Sequence, residues 1–122
     1  MKLILGGAQI ANNYGISNIK KRVNKNDLKK IFNHKRKIKY VDTANSYNGS
    51  LKTISKYYKQ YRLNVNLKID FGKNKNYQDK FFLRFKKSLF KLKSEKVDSV
   101  MIHDTNNFLK LNKKRRKLIL DD

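Results

Sequence analysis

Four apolar runs recur along this chain, LILGGAQ, IKYVDT, NVNLKID and VDSVMIHD, and polar or reactive side chains lie at or just beyond their ends. The run ends fall near Gln9, Asp42, Lys68 and His103, spaced by 33, 26 and 35 residues. Such an interval holds one strand, one helix and two short loops, the βα unit. Helical spacing fills the gaps: Leu28, Ile31 and Phe32; then Leu51, Ile54, Tyr58 and Tyr61; then Phe82, Phe85, Leu89 and Leu92. Successive βα units set parallel strands side by side through right-handed crossovers. The expectation is one α/β domain over residues 1–122, with four parallel strands in the order 1-2-3-4 and helices on one face.

Local signals place the element ends. The strands are expected over 2–9, 38–43, 64–70 and 97–104. Asn24 or Asn26 can cap the first helix, and Asn48-Gly49-Ser50 reads as a turn and cap leading into the second. The third helix is expected over 78–92, after a Gly/Lys/Asn-rich loop. FLKLNKKRRKLIL reads as one last amphipathic stretch. Strand three carries a further hint. If Lys68 faces inward, the two-residue period puts Asn64 and Asn66 inward too, and Val65, Leu67 and Ile69 outward against helices. Four units leave both sheet edges exposed, a liability for aggregation or partner pairing.

Composition narrows the function classes. With no cysteine, disulfides and thiolate metal sites are excluded and a reducing, cytoplasmic setting is expected. Two histidines, His34 and His103, make no metal-spaced set. No run reaches the ~18 apolar residues of a membrane span, and the N-terminus is too short in apolar residues for a signal peptide. There is no Gly-rich dinucleotide fingerprint and no phosphate-binding loop of the Walker type. A formal net charge of +22 invites a polyanion reading, a basic protein binding RNA or another polyanion. Lys outnumbers Arg 25 to 6, however, and Arg is the better phosphate fork. Asn (15) and Ile (10) are abundant while Ala (3) is scarce, so AT-rich codon usage accounts for much of the charge. Lys113-Lys114-Arg115-Arg116-Lys117 reads as a solvated helix face.

The strand ends carry the chemistry. Asp42, Tyr47, Lys68 and His103 fall at the carboxyl edge of the expected sheet, where parallel α/β folds hold their reactive groups. A phenol, ordinarily ionising near pH ~10, needs its anion stabilised to act as an acid at neutral pH. A neighbouring ammonium does that, and Lys68 is the candidate. Asp42 supplies the counter-ion for Lys68, and His103 can hold a carbonyl oxygen by a hydrogen bond. Together they suit protonation of a carbonyl oxygen as hydride reaches its carbon.

In these segments the chain resembles the aldo-keto reductases. DTANSYNGS is similar to the family signature D-T-A-x-x-Y-G-x-S, and NLKI to the strand bearing the family's lysine. SLFKLKSEKVDSVMIHD is similar to S-L-x-x-L-x-x-x-x-x-D-x-x-x-I-H, and LILGGAQ to L-G-L-G-T-A-Q. ANNYGISN resembles the openings of bacterial members. Two departures stand out. Tyr47-Asn48-Gly49 replaces Tyr-Gly and reads as an insertion, and Leu51 stands where an acid usually follows the serine.

The resemblance implies a (β/α)₈ barrel of which this chain spans about four units, a half-barrel. It implies NADPH or NADH as cofactor, a small carbonyl substrate, and Tyr47 as general acid with Asp42, Lys68 and His103. Gly6, Gly7 and Asp42 would lie beside the cofactor. Most dinucleotide contacts in the family come from strands five to eight. The expectation is therefore a truncated, split or decayed member, completed by a second polypeptide or by a homodimer. A non-catalytic basic binding protein on a half-barrel scaffold is the alternative.

Overall fold

Alternation, cleanest in the third strand, gives the sheet a dry face and a polar one. The computed structural model describes residues 3–11, 22–34, 38–71 and 77–121. Within them run β1 (Ile4–Gly6), α1 (Lys25–Asn33), β2 (Tyr40–Ala44), α2 (Ser50–Tyr61), β3 (Asn64–Ile69), α3 (Tyr77–Leu92), β4 (Ser99–Ile102), α4 (Thr105–Leu109) and α5 (Lys113–Asp121). The four described strands form one sheet in the order β1-β2-β3-β4, every pair parallel. This is the architecture expected from the spacing of the runs.

In β3, Val65, Leu67 and Ile69 are fully buried, whereas Asn64, Asn66 and Lys68 are half-buried on the opposite face. The register sets Asp42 beside Asn66 and Ser99, and Ala44 beside Lys68 and Met101, so these share the polar face. The core lies on the other side. There Val41, Val65, Leu67 and Ile69 pack with Leu28 and Phe32 of α1, Leu51, Ile54 and Tyr57 of α2, and Phe81 and Leu92 of α3.

Several boundaries differ from the sequence reading, each for a local reason. Among the described residues of the expected strand 2–9, Ile4–Gly6 pair; Gln9 lies in a turn beyond them, where its carbonyl accepts the Val23 N–H (3.1 Å). Asn24 rather than Asn26 caps α1, its side chain accepting the Asp27 N–H (2.8 Å). The buried stripe of α2 uses Tyr57, and that of α3 uses Phe81 and Leu92; Tyr58, Tyr61, Phe82 and Phe85 are partly buried beside them. The last stretch is two helices, because Asn112 starts a new one. Its side chain accepts the Arg115 N–H (2.9 Å) and its carbonyl the Arg116 N–H (3.0 Å). The loops at 12–21 and 72–76, including most of the ANNYGISN segment, lie outside the described residues.

Gly7 sits where β1 runs on against β2, its N–H donating to the Asp42 carbonyl (2.6 Å). A Cβ there would lie 2.7 Å from the Asp42 carbonyl oxygen and 2.9 Å from Thr43 Cβ. At Gly6 a Cβ would meet nothing within 4 Å. Gly7→Ala is therefore expected to cost about 1–3 kcal/mol, because the obstructing atoms include backbone and cannot swing away. Urea denaturation checks this with Gly6→Ala as the control; equal midpoints for the two variants would contradict it.

Candidate active site

Each of the four reactive side chains is positioned by the carboxyl edge of the sheet. Asp42 lies on the polar face of β2, and Lys68 on the same face of β3 two register positions further along. That offset lets the long lysine lean back across the strands, and Lys68 Nζ reaches Asp42 Oδ2 at 2.6 Å. Both side chains are roughly three-quarters buried, at 27% and 29% exposure, so solvent screens the pair only in part. The other carboxylate oxygen, Asp42 Oδ1, is buried and has no hydrogen-bond partner among the described residues.

Tyr47 is presented by a tight turn between β2 and α2. Its N–H donates to the Ala44 carbonyl (3.2 Å), and its carbonyl accepts the Ser50 N–H (3.1 Å). Gly49, in the left-handed region at φ 76°, completes the turn. Tyr47 and Ser50 keep the three-residue spacing of Y-G-x-S. Asn48-Gly49 thus replaces the Gly-x pair without adding a residue, which corrects the insertion read from sequence. His103 follows β4, its N–H donating to the Ile69 carbonyl (3.0 Å). Its ring meets that of Tyr47 edge-on, with centroids 5.8 Å apart and planes at 87°. The four residues thus assemble as two contacting pairs at one edge, Asp42 with Lys68 and Tyr47 with His103.

The family model that matches the chain is described as "Aldo/keto reductase family" and covers residues 2–112. The chain belongs to the aldo/keto reductase family. No curated protein and no solved structure matches it. The four parallel βα units are accordingly a half-barrel of that family.

Reductases of this family generally use NAD(P)H, and the residues present were weighed against that group. Asp42 Oδ1, a buried acceptor lacking a donor, fits a hydroxyl such as a ribose carries. Gly6 leaves open space on the strand beside Asp42. Gly7 differs: its smallness serves the approach of β1 to β2. No group of metal-ligating side chains occurs among the described residues, and none of their helices is long and apolar enough to cross a membrane.

Supporting residues were the ones sequence reasoning missed. The Ser50 hydroxyl, fully buried, donates to the Gly7 carbonyl (2.9 Å) and so accepts from Thr43 Oγ1 at 3.0 Å. It ties the start of α2 to β1 and β2 beneath the tyrosine turn. Arg84 of α3 forms an ion pair with Asp70 and donates to its carbonyl (2.9 Å), anchoring the end of β3. Asn45 bridges β2 to β3 at the same edge. Serine in the D-T-A-x-x-Y-G-x-S pattern was the one available signal; Asn45 and Arg84 carried none.

Proposed function

We propose that this aldo/keto reductase reduces a small aldehyde or ketone to the alcohol, with Tyr47 as the general acid. The observation that carries the reading is the pairing at one sheet edge: an ammonium held on Asp42, and a phenol in ring contact with an imidazole. A bound NAD(P)H supplies the hydride. The residues of the chain handle the oxygen. His103 donates a hydrogen bond to the carbonyl oxygen and fixes its orientation. As negative charge develops there, Tyr47 Oη transfers its proton to it and forms the alcohol hydroxyl. Asp42 keeps the Lys68 ammonium in place on the polar face of the same edge. Asp42 and Gly6 hold the ribose end of the dinucleotide. The remaining contacts come, in this reading, from further βα units of a second polypeptide.

A titration with NADPH at low and high salt tests the chain by itself. Attraction between the +22 chain and the phosphates is expected to give weak association that falls about tenfold between 0.05 and 0.5 M salt, as the screening length shortens. No turnover of a reactive aldehyde is expected under either condition, since positioning of the hydride donor supplies much of the rate. Salt-resistant micromolar binding with turnover would show that this chain needs no further units.

A further inference from the structure

Residues 68–70 at the end of β3 act as a hub for the candidate site. The Ile69 carbonyl accepts the His103 N–H, which seats the imidazole strand. On the other side, the Lys68 carbonyl accepts the Asn45 N–H (3.0 Å) and the Asp70 N–H donates to Asn45 Oδ1 (2.9 Å). Asn45 lies just past the last β2–β3 register pair, Ala44 with Lys68, and two residues before Tyr47. One residue thus grips the lysine strand at two points, with its backbone and its side chain. From beyond, Arg84 holds Asp70 through the ion pair and the Asp70 carbonyl.

We propose that Asn45 is a positioning residue that sets the tyrosine turn against the lysine-bearing strand, and through it the contact of Tyr47 with His103. The backbone bond alone could be made by any residue other than proline. The second bond needs a side-chain acceptor of this length, and alanine would leave the part-buried Asp70 N–H without one. Asn45 falls at an x position of D-T-A-x-x-Y, so the family pattern assigns it no role. The inference deepens the reductase reading and rests on it for the roles of Tyr47 and His103. The linkage itself is measurable without turnover.

The test is NMR on the whole isotope-labelled chain, comparing wild type, Asn45→Ala and Asn45→Asp. In wild type the edge-on rings should give a Tyr47–His103 ring NOE, and the Asp70 amide should exchange with solvent more slowly than an open strand end. In Asn45→Ala the Asp70 amide is expected to exchange about 3- to 10-fold faster, the worth of one hydrogen bond, and the ring NOE to weaken. Asn45→Asp keeps the acceptor oxygen and should restore both. A merely structural role would speed exchange at Val41 and Leu67 as much as at Asp70, and would leave no rescue in Asn45→Asp. An unchanged ring NOE in Asn45→Ala would overturn the proposal. If that variant does not fold, wild type decides, because an Asp70 amide exchanging at the open-chain rate overturns it too. Tyr47→Phe turnover assays test the reductase reading separately, so either can fail alone.

Discussion

Tyr47→Phe is expected to lower kcat for aldehyde reduction by about 10²- to 10⁴-fold, the usual contribution of a positioned general acid. The assay combines the chain with a polypeptide supplying strands five to eight and NADPH. Phenylalanine keeps the ring, and with it the edge-on contact to His103, and removes only the proton. The Michaelis constant for NADPH should therefore hardly move, because Tyr47 is asked to act on the carbonyl oxygen. Equal activity of the variant and wild type would remove Tyr47 from the acid role. His103 would then be the group to examine, being the proton donor in ring contact with Tyr47.

Leu67→Ala is expected to destabilise the fold by about 2–5 kcal/mol, the range for truncating a buried leucine. Leu67 is fully buried at the centre of β3, inside the layer between sheet and helices. Its neighbour Asn66 faces the other way and accepts a hydrogen bond from Ser99 Oγ (2.7 Å). Asn66→Ala should cost only about 0.5–1.5 kcal/mol, the net worth of one such bond. Urea unfolding of the two variants compares the faces directly. Comparable losses would mean that the polar face is as closely packed as the dry one.

The strand order and the facing of β3 followed from particular residues. Val65, Leu67 and Ile69 alternate with Asn64, Asn66 and Lys68 so cleanly that one face assignment for Lys68 fixed the whole strand. Asp42, Lys68 and His103 were legible because each sits where an apolar run stops, whereas Tyr47, in the turn beyond β2, stood out only through the D-T-A-x-x-Y pattern. The edges of elements were less legible. Gly6-Gly7 reads as a strand end, but nothing in the residues says that Gly7 must press against Asp42 and end β1 there. At the start of the α3 stripe Phe81 takes the place expected for Phe82: both are apolar, and Phe81 is the one stacked on Phe71, with centroids 5.3 Å apart. Asn45 and Arg84 were invisible for a different reason. Asn45 binds main-chain groups of Lys68 and Asp70, and Arg84 binds the Asp70 carbonyl beside its ion pair with that side chain; a sequence records no main-chain partners.

The one-sided core has a consequence for how a ring of this kind is put together. Since the buried apolar side chains of β2 and β3 face the helices, and Asn64, Asn66, Lys68 and Ser99 occupy the opposite face, this half has its hydrophobic layer before any ring exists. Were further βα units supplied by a second polypeptide, closing the ring would be a docking equilibrium between prefolded pieces, governed by concentration and ionic strength. In a chain whose opposite face was apolar, folding and closure would be a single event. The amides and the ammonium on that face would let the two events separate, so that such an assembly could form and dissolve without unfolding either piece.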